Sequence, residues 1–103
     1  MELAVRVLDL GDMTVVGLEG DLAEDTAALF DEKLARVLDS EATTIVLDCS
    51  LLRSMGRSEA AVLIDANERV QQRHGRLVVR QPNDATRSTL AESGLLDQIE
   101  IEP

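Results

Sequence analysis

Apolar residues along this chain follow two alternating periods. "LAVRVL" (residues 3–8) and "MTVVGL" (13–18) are short runs rich in β-branched residues, and "DLGD" between them supplies turn chemistry through Gly11 and its flanking aspartates. This spacing predicts a hairpin. In "EGDLAEDTAALFDEKLARVLDS" (19–40) the period becomes helical, with Ala27, Phe30, Leu34, Val37 and Leu38 on one stripe. Glu24 and Asp25 fall in the expected first turn, where the helix dipole favours negative charge.

"TTIVLDC" (43–49) is a continuous apolar run of strand length, read as a central strand ending at Asp48. From Ser58, "SEAAVLIDANERVQQRHG" returns to helix, with Ala60, Leu63, Ile64, Asn67 and Val70 on one face and Gly75 as its stop. "RLVVR" (76–80) reads as a strand and "NDATRSTLAESG" (83–94) as a short capped helix ending at Gly94. "QIEIE" (98–102) alternates as a half-exposed strand with Ile99 and Ile101 inward. The order β-β-α-β-α-β-α-β predicts an α/β domain with a mixed sheet: parallel strands joined by right-handed helical crossovers, after an antiparallel opening hairpin.

Composition narrows what such a domain can do. At 103 residues, 45% of them hydrophobic, the chain suits one domain spanning 1–103 with a real core. Phe30 is the only aromatic residue, so stacking platforms for bases or sugars are not expected. A net charge of −10 argues against nucleic acid and against an anionic membrane surface. The charge is uneven. Residues 1–52 hold twelve acids and three bases, residues 53–103 eight acids and seven bases. A basic protein surface is the natural complement of the first half. A single cysteine, Cys49, excludes an internal disulfide, and no run approaches the length of a membrane span or a secretory signal. A cytoplasmic protein is expected.

Reaction chemistry is hard to assemble from these residues. The lone His74 lies sixteen residues beyond Ser58, about 24 Å along a helix, too far for a nucleophile and its base. One histidine and one cysteine are poor material for a metal site. "GLEGDL" lacks the spacing and the Lys-Ser/Thr pair of a phosphate loop. No catalytic residue, metal or cofactor is expected, and the chain reads as a non-enzyme.

Three stretches carry a resemblance to the STAS domain family (sulfate transporter and anti-sigma factor antagonist). "VVGLEGDLAEDTAALFDEKLARVL" resembles its approach to the first helix, "TTIVLDCSLLRSMGRSEAAVLIDA" its strand, loop and second helix, and "NDATRSTLAESGLLDQIEI" its ending. The resemblance covers nearly the whole chain. It implies a mixed sheet with helices packed on it and binding of a protein partner around the start of the second helix. In antagonists of this family the loop before that helix reads Asp-Ser-Ser-Gly, and a kinase-type anti-sigma factor phosphorylates the second serine. Here those places hold Gly56, Arg57, Ser58 and Glu59, so only the phosphoacceptor is kept.

The resemblance thus implies an anti-sigma factor antagonist that binds a serine-kinase anti-sigma factor in a partner-switching pathway, with a phosphatase as a second partner. The implied surface comprises Asp21, Leu22, Ala23, Glu24 and Asp25 on one side, and Arg53, Met55, Gly56, Arg57, Ser58, Glu59 and Val62 on the other. Leu22 and Met55 also fit as core residues. Ser58 has two readings: an N-cap whose hydroxyl is worth about 1 kcal/mol, or a phosphorylation site at the positive end of a helix. The family also includes non-phosphorylated companions of ABC transporter ATPases in lipid trafficking and subunits of larger signalling assemblies. "GDLAEDTAALF" is similar to the corresponding stretch of the transporter companions.

Overall fold

A computed structural model describes residues 2–103. Its elements run β1 (Leu3–Asp9), β2 (Met13–Leu22), α1 (Ala27–Leu38), β3 (Thr44–Met55), α2 (Arg57–Gln72), β4 (Arg76–Arg80), α3 (Asp84–Glu92), a 3₁₀ turn (Leu95–Asp97) and β5 (Glu100–Glu102). The five strands lie in chain order, β1 antiparallel to β2 and the rest parallel. Because each right-handed crossover moves to the next strand in the same direction, all three helices fall on one face of the sheet. The core records this. Ile45 and Leu47 cluster with Phe30, Leu34, Leu63, Val70 and Leu90, whereas Val46 and Val78 point to the opposite, helix-free face.

Burial drives this arrangement. Phe30, Leu18, Leu22, Ile45, Leu47, Leu63, Leu77, Leu90 and Leu95 are fully enclosed. Each large apolar side chain taken out of water contributes about 1.5–3 kcal/mol. Most of the expected stripes are buried, Phe30, Leu34, Val37 and Leu38 on α1 and Ala60, Leu63, Asn67 and Val70 on α2, while Ala27 and Ile64, expected on the same faces, are only half-buried. Asn67 is tolerated there because its amide donates to the Gln98 carbonyl (3.3 Å). Arg73 ties the end of α2 to the end of α1 by donating to the carbonyls of Leu38 and Ser40.

Several boundaries differ from the sequence expectation. β3 does not end at Asp48 but continues to Met55, pairing with β4 only as far as Asp48 and with β2 throughout. Along this extension β3 carries an extra residue at two places. Gly17 and Glu19 face Asp48 and Leu51, and Gly20 and Asp21 face Leu52 and Ser54. Alternation fails there, so Ser50 and Leu51 are both exposed. α1 begins at Ala27, which leaves Glu24 and Asp25 in the preceding turn and no acid in its first turn. At the end of α2 the left-handed residue is His74 (φ 61°), not Gly75. Gly75 is required for another reason: a Cβ there would lie 2.4 Å from the Thr43 carbonyl oxygen. Gly20 adopts φ 112° and lets the start of β1 pass so close that a Cβ would meet the Glu2 carbonyl oxygen at 2.2 Å. That contact is held by Asp21 N–H donating to Glu2 (2.9 Å).

Candidate functional site

The loop from β2 to α1 and the lead-in to α2 sit side by side because β2 and β3 end together, Leu22 opposite Met55. Thr26 organises the first of these segments. Its hydroxyl donates to the Asp21 carbonyl (2.8 Å) and accepts from the Ala23 N–H (2.9 Å), closing a compact turn ahead of α1. Three bonds then fasten this turn to β3 and α2. The Asp21 carboxylate accepts from the Ser54 hydroxyl (2.8 Å) and from the Arg53 guanidinium (2.6 Å), and the Gly56 N–H donates to the Leu22 carbonyl (2.8 Å). The Ser54 bond, followed by that of Arg53, holds the Asp21 carboxyl below its ordinary value.

Ser58 is not the N-cap. Gly56 is, in extended conformation (φ −74°, ψ 158°), and no side chain caps the helix. The long-range bond from Gly56 to Leu22 fixes the chain entry two residues before the serine, overriding the local preference of Ser for a cap. Ser58 therefore occupies the second helical position, exposed, at the positive end of the helix dipole. Glu59 follows at the third position and is only 5% exposed. Its side chain folds back over Gly56, where a Cβ would lie 2.8 Å from its Oε2. The carboxylate of Glu59 thus fills the space directly above Gly56.

The remaining candidates sort by burial. Glu24, Asp25, Arg53, Arg57 and Ser58 are exposed, while Asp21, Ala23, Gly56 and Val62 are half-buried. Leu22 and Met55 are core residues with no face to offer a partner, because both close their strands on the helix-covered side. Glu59, counted in the same surface, is turned inward as described. Arg57 reaches across to α3, where its Nε donates to Glu92 (2.9 Å); both side chains are well solvated, so the pair adds little stability. Asn83 braces the site from behind. Its side-chain oxygen accepts from the Thr86 N–H to cap α3 (2.8 Å), and its amide donates to the carbonyls of Leu52 (3.2 Å) and Arg53 (2.9 Å).

Sequence reasoning missed Thr26, Ser54 and Asn83 as organisers of this surface. Thr26 and Asn83 belong to the residue types that start helices, a signal pointing to caps but not to the long-range bonds they make. Cys49 lies apart, buried in the core, where loss of water pushes its thiol up to about 12, aided by the nearby Asp48 carboxylate. Among the described residues no group of three or more His, Cys, Asp or Glu side chains is placed to hold a metal ion, and no helix is long and apolar enough to cross a membrane.

A five-stranded mixed sheet covered by helices on one face, with the exposed tip of α2 stapled beside the β2–α1 turn, is the architecture of a STAS-type domain. The family model described as "Mlab, STAS domain" matches residues 6–101, and the chain belongs to this family. No curated protein sequence matches it. Solved structures share the fold. An anti-sigma factor antagonist from Mycobacterium paratuberculosis superposes with a TM-score of 0.89 at 22% identity, covering 99% of this chain and 86% of that one. The anti-sigma factor antagonist SpoIIAA, in its unphosphorylated form, gives 0.83 at 19% identity over 97% and 89%. A variant of RsbS from Moorella thermoacetica gives 0.74 at 24% identity over 94% and 84%.

Proposed function

We propose that this domain is an anti-sigma factor antagonist. It docks on a kinase-type anti-sigma factor through the tip of α2 and the Asp21–Asp25 turn, in a cytoplasmic partner-switching pathway that regulates transcription. It performs no reaction of its own. Ser58 is the acceptor for the partner's phosphoryl transfer, and a phosphatase restores the free hydroxyl. The observation that carries this reading is the state of Ser58: exposed, relieved of any capping role by Gly56, and flanked by the carboxylate that Glu59 returns to the start of the helix. A phosphate there would place roughly 1.5–2 negative charges on a surface shaped around a neutral hydroxyl, displacing a partner that buries it. That SpoIIAA, which shares the fold, is known in both unphosphorylated and phosphorylated forms is consistent with such a switch.

A second reading is a STAS companion of an ABC transporter ATPase in lipid trafficking, with no switch. Arg57 favours it, since the first serine of the family pattern is here a cation already engaged with Glu92. The two are separated by incubating the purified chain and ATP with a kinase-type anti-sigma factor from the same organism, and reading complex formation by gel filtration and phosphorylation by intact mass. The expected result is a complex with the unmodified chain, one added phosphate on the wild type and none on Ser58→Ala. Absence of any complex, or an equal mass gain on Ser58→Ala, would refute the antagonist reading.

A further inference from the structure

Between the outer strand β1 and the last turns of α1 lies a cleft of about 290 Å³, at the small end of ligand-binding cavities. No residue of the docking surface proposed above lines it. Lys33, Arg36, Val37 and Ser40 recur at helical spacing along one wall, and Val7, Asp9 and Thr14 form the other on the hairpin, where Asp9 and Thr14 pair. Several of its polar groups are already engaged. The Ser40 hydroxyl donates to the Val37 carbonyl (2.6 Å) and accepts from the Ala42 N–H (3.3 Å). The Arg36 guanidinium is held by Glu32 (3.1 Å), and one Asp9 oxygen accepts from the Gly11 N–H (2.9 Å).

Three groups are left over. Thr14 is only 3% exposed, yet its hydroxyl forms no hydrogen bond with any described residue. Lys33, the only lysine of the chain, is half-buried and forms no ion pair or hydrogen bond with any described residue. Asp9 keeps its second oxygen. A buried hydroxyl and a half-buried ammonium are costly to leave unmatched, and both line this one cavity. The charges left over are opposite in sign, so their complement is a molecule carrying both. Such a molecule, neutral overall, escapes the repulsion that a chain of net charge −10 exerts on free anions. Val7 (45% exposed) and Val37 add aliphatic walls.

We propose that this cleft binds a small aliphatic α-amino acid. The ligand carboxylate accepts from the Lys33 ammonium and the Thr14 hydroxyl, the ligand ammonium donates to the second Asp9 oxygen, and the ligand side chain lies against Val7 and Val37. The site stands independently of the docking surface at α2.

The probe is L-leucine, titrated into the full ¹⁵N-labelled chain. Three controls each lack one feature: isocaproate has no ammonium, isoamylamine no carboxylate, and glycine no aliphatic side chain. Leucine should shift the amides of Val7, Asp9, Thr14, Lys33 and Val37 saturably, with a Kd of about 0.1–1 mM, within reach of a ligand of about nine heavy atoms. Each control should bind at least about tenfold more weakly. Thr14→Val, Lys33→Gln and Asp9→Asn, the last keeping an oxygen for the Gly11 N–H, should each weaken leucine by about five- to tenfold. Thr14→Val removes a buried hydroxyl that has no partner, so it should do this without lowering Tm, which a merely structural role would not allow. Arg87→Gln on α3 should leave the affinity unchanged. No saturable shift up to about 20 mM leucine, a control that binds as well as leucine, or undiminished affinity in Thr14→Val or Lys33→Gln would overturn the site.

Discussion

Replacing Ser58 by alanine separates the two physical roles a serine can have at the start of a helix. As an N-cap its hydroxyl would satisfy a free backbone N–H, and its removal would cost about 1 kcal/mol. In the structure Gly56 holds that position and Ser58 is the exposed second residue of α2, so no capping bond is lost. Alanine is the better helix former by up to about 0.5 kcal/mol. Ser58→Ala is therefore expected to leave stability unchanged or raised by no more than about 0.5 kcal/mol. For a domain of this size 1 kcal/mol shifts Tm by about 4–8 °C, so thermal unfolding followed by circular dichroism should show a Tm within about 3 °C of the wild type and not below it. Asn83→Ala is the internal standard. It removes the bond to the Thr86 N–H and the donors to Leu52 and Arg53, and should lower Tm by about 4 °C or more. A Ser58→Ala protein that loses as much as Asn83→Ala would refute the placement of Gly56 as the cap, and with it the claim that the hydroxyl is spare. If the variant is as stable as expected, loss of phosphorylation in it reports chemistry and not unfolding.

Other expectations concern the frame around the site. Gly20→Ala forces a side chain into φ 112° and against the Glu2 carbonyl, so chemical denaturation should show a loss of at least about 1–3 kcal/mol; a neutral result would mean that β1 does not pass so close. Asp21 is more acidic folded than unfolded, so its stabilisation is complete above the ordinary value of 3.8 and is lost as pH falls through the lower folded value. The Tm difference between wild type and Asp21→Asn should accordingly be constant above about pH 5 and shrink in more acid solution, and a difference that stays constant would contradict the Ser54 and Arg53 bonds. Cys49 should resist iodoacetamide at about pH 8 in the native state and react once the chain is unfolded, as measured by mass; prompt native labelling would contradict its burial.

Periodicity made most of the fold legible, and the reason is visible in individual elements. The stripe of α1 and the inward face of α2 were readable because burial on a single side imposes the helical repeat on sequence; the alternation in "QIEIE" marked β5 but overran it, since the strand is only Glu100–Glu102, with Ile99 buried just before it and Ile101 half-buried. The extension of β3 was not readable. Its extra residues at Ser50–Leu51 and near Arg53 break the period, and only pairing with β2 shows that the strand continues. At the site, Ser58 stood out through resemblance to a known pattern, but its environment depended on partners far away in sequence. Ser is locally the better cap, yet the bond from Gly56 to Leu22 starts the helix earlier. Glu59 read as a departure from the pattern because only the folded chain brings its carboxylate back over Gly56.

The staples between the β2–α1 turn and the head of α2 also bear on how fast and how reversibly this surface can be used. Asp21, Thr26, Ser54 and Gly56 lock both halves of the patch into one body before any partner arrives. Association then demands little fresh ordering of backbone, and a rigid encounter guided by charge should suffice. Under the docking reading proposed above, a surface held rigid in this way suits rapid exchange between competing clients, each judged on fit alone.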